Sequence, residues 1–265
     1  MNKFKYIFPF IFMLAVACEK VIDVDLNEAA PAIVIEGNLS NSINEIQVKV
    51  SMTSSYFDTL PSEKISGAVV KVTSDVGDSF ILHESENGIY KTQKSWFKEG
   101  GTYNLSVEAN GENYVASSKL NSPVFIDSVR FYYEDSPFFE QGYYVNVFLD
   151  DPPGVNNYYR LKYLKNGIFQ NRIEDLILFD DRYVDGNTIE VSLFNQPFEL
   201  NDTVALQLVS LDKGAYDYLR TFRELVNNNP GSAAPANSNS NISNGALGYF
   251  SAWSSSLKSV IIKWE

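Results

Sequence analysis

One cysteine and one histidine in 265 residues exclude more chemistry than any motif in the chain suggests. A single cysteine cannot close an internal disulfide, so the fold has to be held by core packing alone. A zinc site needs three or four Cys, His or carboxylate ligands in a cluster, and here almost only carboxylates are on offer. A Ser-His-Asp triad would have to use His83, which stands between Leu82 and Glu84 in an alternating stretch, and no Gly-x-Ser-x-Gly elbow occurs anywhere. Positive charge is short as well. The 21 Lys and Arg face 33 Asp and Glu, a net charge of −12 and the wrong sign for phosphate backbones or anionic lipid head groups. The acid pairs Glu174/Asp175, Asp150/Asp151 and Asp180/Asp181 remain for hydrolytic chemistry. Neighbours on a strand point to opposite faces, so these pairs read as solvated loop or edge charges. The chain is therefore expected to be non-enzymatic, without cofactor or metal.

What the sequence does contain begins with an address. Lys3 and Lys5 precede an apolar run from Tyr6 to Val16 that is broken by Pro9 and is too short to cross a bilayer as a stable helix. Leu14-Ala15-Val16-Ala17-Cys18 resembles a bacterial lipobox, with Ala15 where that motif prefers Leu. The resemblance implies removal of residues 1–17 as a signal peptide and acylation of Cys18 with palmitate-class chains. At ~0.8 kcal/mol per buried methylene, such chains together bind a membrane almost irreversibly. Residues 18–27 then form a lipidated tether, whose nine residues after the cysteine reach at most ~30 Å. Within it Asp23-x-Asp25-x-Asn27 opens like a calcium loop, but Glu28 stands where that loop needs Gly and Val34 where it needs Glu. Asp181-x-x-x-Asp185-Gly186 fails similarly, with Tyr183 and Ser192 at ligand positions.

From Ala32 onward the hydrophobic period is two. Ile46, Val48, Val50 and Met52 alternate with polar residues, as do Ala68, Val70 and Val72, and Asp75-Val76-Gly77-Asp78 turns the chain into Phe80 and Leu82. Tyr103, Leu105, Val107 and Ala109 run into Asn110-Gly111, a strong hairpin signal, and Asn166-Gly167 repeats it. With Phe and Tyr at 18 and 16 residues, the composition suits strands. Gly101-Thr102-Tyr103-Asn104-Leu105-Ser106-Val107 resembles the tyrosine-corner strand of immunoglobulin-like and carboxypeptidase-regulatory-like domains, with Leu105 where antibody domains place their second cysteine. The reading is a mainly β chain. Residues 28–122 form a β-sandwich expected to fold on its own, and residues 123–265 form a second β-rich domain. The latter carries one helix near 212–226, capped by Ser210 or Asp212, and a loop at 227–244 whose far end is pinned by Leu247 and Phe250 in that second domain. Val260-Ile261-Ile262 reads as a closing strand.

Aromatic doublets at Tyr132-Tyr133, Phe138-Phe139, Tyr143-Tyr144 and Tyr158-Tyr159 place one ring on each face of a strand. One ring can enter the core while the other faces outward, where tyrosine suits recognition. Tyr132, Tyr144 and Tyr158 are the candidate partner-binding residues, set against burial of both rings. Asp58-Thr59-Leu60 resembles the Asp-Ser/Thr-apolar sites of Bacteroidetes O-glycosylation, which makes Thr59 a candidate acceptor.

Cys18-Glu19-Lys20, Val34-Ile35-Glu36-Gly37, Tyr158-Tyr159-Arg160-Leu161 and, most specifically, Asn241-x-x-x-Gly245-Ala246-Leu247-Gly248-Tyr249-Phe250 resemble domain-of-unknown-function family 4249. These are lipoproteins of Bacteroidetes-type bacteria. The resemblance covers essentially the whole mature chain. It implies a lipid-anchored outer-membrane location, on either face of that membrane, and genes that often sit beside TonB-dependent receptors. It supplies no catalytic residues. The expected function is that of a non-enzymatic accessory or ligand-binding partner of such a receptor. The alternatives are an envelope structural or adhesion module and a carbohydrate-active enzyme.

Overall fold

Period-two alternation turns most of the chain into strands, and the few breaks in that period fix how the strands meet. The computed structural model describes residues 31–54, 61–93, 96–227 and 237–264; the leader, Cys18, the whole tether, Thr59 and residues 228–236 of the expected loop lie outside them. In chain order the elements are β1 (Ile33–Ser40), β2 (Glu45–Met52), β3 (Val69–Ser74), β4 (Ser79–Glu86), β5 (Ile89–Gln93), β6 (Thr102–Ala109), β7 (Glu112–Lys119) and β8 (Ile126–Glu134). There follow β9 (Gly142–Asp150), β10 (Tyr158–Lys165), β11 (Ile168–Phe169), β12 (Ile177–Asp180), β13 (Thr188–Phe198), β14 (Thr203–Leu211), helix α1 (Lys213–Val226) and β15 (Leu247–Ile261). The protein is mostly β, as its sequence predicts, with one α-helix among the described residues, one large mixed sheet and a second small one.

The large sheet runs β11-β10-β14-β15-β1-β2-β5-β4-β3-β6-β7, with β12 also on β10, and the small sheet runs β13-β9-β8. Strand β4 lets the large sheet fold over on itself. Its first half pairs with β3 (Phe80 opposite Val72), and its second half pairs with β5 (His83 opposite Lys91). The inward rows of the two layers enclose a first core around Ile35, Val48, Val72, Leu82, Leu105 and Val107. Farther along, the small sheet packs on β10 and β14 to enclose a second core around Val145, Val147, Leu161, Leu206 and Phe198. Helix α1 covers the opposite face of the large sheet, where Ala215, Tyr216 and Leu219 meet Leu178, Val209 and Leu211. Asp212 caps it, accepting from the backbone N–H groups of Gly214 at 2.7 Å and Ala215 at 3.1 Å.

Local signals resolve as the sequence indicates. Asn110-Gly111 and Asn166-Gly167 both take positive φ, 52° and 80° in the first and 53° and 78° in the second, the backbone of a two-residue hairpin turn. Tyr103 forms the tyrosine corner: its hydroxyl accepts from the Lys98 N–H at 2.8 Å, five residues upstream, and Leu105 is buried beyond it.

Strand β15 departs from expectation. A closing strand is predicted only at Val260–Ile262, yet β15 is 15 residues long and serves both cores. Its first half runs parallel to β1, with Gly37 opposite Phe250, and its second half runs antiparallel to β14. Phe250, fully buried, therefore enters the first core and not the second, because the β1 register places it over Gly37 and near Leu105. Residues 28–122 alone do not complete that core: Ile242, Ala246, Phe250 and Ala252 come from the far end of the chain. The end of the expected loop also covers the edge of β7. The Ser243 N–H donates to the Val115 carbonyl at 2.9 Å, and Asn244 Nδ2 donates to the Asn113 carbonyl at 2.6 Å. Such cover blunts an edge that would otherwise invite pairing.

Candidate functional site

Strand β9 carries consecutive tyrosines, and the pleat divides them. Tyr143 points into the second core, while Tyr144 faces out from the small sheet. On the neighbouring strand Tyr132 pairs directly with Tyr144, and their rings stack at 6.0 Å and 26°. The Phe139 ring meets Tyr144 edge-on at 6.4 Å, and Phe194 lies 6.5 Å away on its other side. Tyr144 itself is 4% exposed, but around it Tyr132 is 40%, Phe139 57% and Phe194 60% exposed, with Phe138 next in sequence at 88%. This aromatic platform is fixed rather than loose, because the Tyr144 hydroxyl donates to the Glu140 carbonyl at 3.0 Å. Farther along the same face the Arg130 guanidinium sits over the Phe148 ring at 5.0 Å. Burial, and then the charges of Glu140 and Glu134, push the Tyr144 hydroxyl above its ordinary pKa. The platform is thus apolar at its centre and acidic beside it.

The sequence-predicted residues divide accordingly. Tyr132 and Tyr144 are brought together. Tyr158 is on the other side of the large sheet, half-buried beneath α1 with its ring 5.0 Å from Tyr216. Phe194 follows Leu193, which pairs with Val145 of β9, and so joins the platform beside Tyr144, a placement that only the register across to β9 reveals. His83 is an exposed residue of β4.

The acid pairs correct one expectation. They are not wholly solvated: Asp151, Asp175 and Asp181 are buried, and each sits beside an acid left exposed or half-buried. None of the three lies in a strand: Asp151 and Asp181 follow the ends of β9 and β12, and Asp175 closes a short 3-10 turn at Ile173–Asp175; core tyrosines meet two of them. The Tyr159 hydroxyl donates to Asp151 at 2.6 Å and the Tyr163 hydroxyl to Asp175 at 2.9 Å. Burial pushes Tyr163 up to about 12, with the Asp175 hydrogen bond adding to the effect. Asp175 goes the other way. Burial alone would raise it, but hydrogen bonds from Arg172, Tyr163 and Asn195 outweigh that and hold it below the usual carboxylate range.

Asp151, Asp181 and Asp185 come within 4.8 Å of one another and could offer one oxygen each to a cation. Each already accepts hydrogen bonds from the protein. Asp151 accepts from Tyr159 and from the Gly186 N–H at 3.1 Å, Asp181 from the Asn157 N–H at 2.8 Å, and Asp185 from the Gly154 N–H at 2.8 Å. The trio ties the loop after β9 to the loop after β12, and that structural role accounts for it.

The opening at the end of the second core has a volume of about 840 Å³ and is lined by Tyr133, Tyr143, Lys165, Arg172, Gln196 and Trp264 among others. Its size suits a small molecule, but its polar groups are engaged within the protein. Lys165 is 3.3 Å from Asp202, Arg172 Nε is 3.1 Å from Asp175, and Gln196 Nε2 donates to Gln170 Oε1 at 3.0 Å. Among the described residues no helix is long and apolar enough to cross a membrane.

No curated protein matches the chain. Among solved structures it is similar to the Yersinia pseudotuberculosis adhesin InvE at 15% identity, over 67% of this chain and 55% of that one, with a TM-score of 0.22. The chain thus spans little more than half the adhesin's length. The family model for the domain of unknown function DUF4249 matches residues 19–259, so the chain belongs to that family.

Proposed function

We propose that this protein is a non-enzymatic lipoprotein, anchored in the outer membrane through Cys18, that binds a TonB-dependent receptor with the aromatic face of its small sheet. The observation that carries this reading is the platform around Tyr144, where Tyr132, Phe138, Phe139 and Phe194 remain exposed. Clustered exposed rings beside acidic residues mark interaction surfaces in soluble chains, and rigid aromatic anchors supply most of the energy in protein interfaces. The lipobox-like segment before Cys18 supports the anchor, and the negative charge of the chain leaves membrane attachment to the lipid rather than to electrostatics. Hydrolysis is the weaker reading, because the buried acids are held by tyrosines and backbone N–H groups.

The test is capture of native protein from detergent-solubilised outer membrane, with wild type compared against a Phe138→Ser, Phe139→Ser, Phe194→Ser variant. Wild type is expected to recover the receptor and the variant to lose it at least roughly tenfold, the effect of a little over 1 kcal/mol. Equal recovery by both would remove the platform from the interface, and no receptor with wild type would remove the partner.

A further inference from the structure

The strand that carries Tyr159, Leu161 and Tyr163 into the second core presents Arg160 and Lys162 on its opposite face. Both are half-buried there, and among the described residues no carboxylate lies within ion-pair distance of either. A chain with 33 acidic residues has thus set two cations side by side, partly out of water, without a counter-charge. Unpaired charge in such a place is unfavourable unless something else compensates it.

The surroundings point to what that is. A small, partly open space of about 20 Å³ is lined by Arg160, Lys162, Ser251, Asn38, Trp253 and Leu219 among others. Two polar groups lining it have no hydrogen-bond partner although their atoms are buried: Arg160 Nε, and the hydroxyl of Ser251, a residue only 1% exposed. Lys162 Nζ stands over the Trp253 ring, 5.0 Å from its centroid, which holds the ammonium without neutralising it. Asn38 Oδ1 accepts from the Tyr249 hydroxyl at 3.4 Å. Donors therefore predominate around the space. Its volume is that of about one water-sized body, too small for a sulfate or phosphate.

We infer that this cavity is a binding site for a single monoatomic anion of chloride size, held by Arg160 Nε, Lys162 Nζ and the Ser251 hydroxyl. A water molecule would satisfy the donors but leave both positive charges uncompensated. The only other relief is loss of the lysine proton. Burial, and then the Arg160 charge, push Lys162 down to about 8. The further titratable groups at this face are Tyr249, Tyr218 and Glu36, the last of which acts on both tyrosines. An anion in the cavity would oppose that depression by favouring the charged ammonium.

The experiment measures the melting temperature of the full chain in detergent across a sodium bromide series, against sodium gluconate at equal ionic strength. Wild type should show a saturable stabilisation by bromide of roughly 5–10 °C at a hundredfold excess over the dissociation constant. Lys162→Met should abolish it, and Ser251→Ala should move its midpoint to about tenfold higher bromide, the effect of losing one hydrogen bond to a charged partner. Should Lys162→Met not fold, Ser251→Ala carries the comparison. Bromide-soaked crystals should show an anomalous peak within hydrogen-bond distance of Arg160 Nε. The inference is overturned if bromide and gluconate act alike on wild type, if Ser251→Ala keeps the wild-type midpoint, or if the cavity shows no peak in saturating bromide.

Discussion

Gly245 and Gly248 make a matched pair in which backbone conformation and close approach can be separated. Both have positive φ, 69° and 98°, so an alanine at either carries the left-handed penalty of roughly 1–2 kcal/mol. They differ in surroundings. A Cβ on Gly245 meets nothing within 4 Å, whereas a Cβ on Gly248 falls 2.1 Å from the Ile35 carbonyl oxygen and 2.8 Å from its carbon. Those atoms belong to the backbone of β1, in the parallel ladder that pairs Ile35 with Gly248, and cannot rotate away as a side chain would. Relief requires moving β15 off β1, which disturbs the ladder and the seat of Phe250 over Gly37, two residues farther along β15. A core phenylalanine lost outright costs about 3–5 kcal/mol, so partial displacement should add roughly 2–4 kcal/mol to the conformational penalty. Gly248→Ala is therefore expected to lower stability by about 3–6 kcal/mol and Gly245→Ala by about 1–2 kcal/mol, read from urea denaturation midpoints at constant slope. In a chain of this length the difference corresponds to a melting-temperature gap of roughly 5–15 °C. Losses equal to within about 0.5 kcal/mol would refute the close approach of the two strands at Ile35.

Further outcomes follow from the structure and, for Cys18, from the sequence alone. Asp212→Ala should destabilise by about 2–3 kcal/mol, because it removes the α1 cap and strands the Ser118 hydroxyl that donates to it, while Asp212→Asn, which keeps an acceptor, should cost less than half as much. Burial raises the Asp212 carboxyl above 3.8, so its contribution is most favourable below that value and declines as pH rises through the folded pKa; wild-type stability measured relative to Asp212→Asn should fall in that direction, and a rise would contradict the burial. Residues 28–122 expressed alone should remain largely unfolded by NMR, since Ala246, Phe250 and Ala252 are missing from their core, and should gain dispersed resonances when a peptide covering residues 240–256 is added; a well-dispersed spectrum without the peptide would show that β15 is dispensable. Cys18→Ser should abolish acyl labelling and leave unprocessed or mislocalised protein, and normal fractionation of the mutant would end the lipoprotein reading.

The elements legible in the sequence are those whose causes are local. An Asn-Gly pair sets its own φ signs, a tyrosine five residues after Lys98 reaches back to the Lys98 backbone, and apolar spacing from Tyr216 to Val226 needs only a capping Asp212 to become a helix. Strand β15 was hidden for the opposite reason. Ser254-Ser255-Ser256 and Gly248 carry little strand signal of their own, and what makes them strand is position: β15 is hydrogen-bonded on both sides, by β14 and β1. Its serines are also small enough to be buried where other elements press close. Ser256 donates to the Val124 carbonyl at 2.7 Å, and the Ala252 N–H donates to the Ser118 hydroxyl at 2.7 Å. Neither partner lies within a hundred residues along the chain, so no local window could have found them.

The same distinction governs the sites. The rule that adjacent strand residues face apart foretells that one ring of Tyr143-Tyr144 is outward, but not that Tyr132 and Phe194 arrive beside it, because that depends on the registers of β8 and β13 against β9. The acid pairs fail in a more instructive way. Alternation says only that the two carboxylates separate, and the step from separated to solvated assumes that nothing inside can receive one. Tyr159 and Tyr163, both on β10, supply two of the receivers, for Asp151 and Asp175, and the Asn157 N–H supplies the third, for Asp181. The face opposite those tyrosines then had to take Arg160 and Lys162, since strand geometry allows no other place for them. Burying the alternate tyrosines of β10 and exposing its cations to the underside of α1 are one event, and the counter-ion cavity is its consequence.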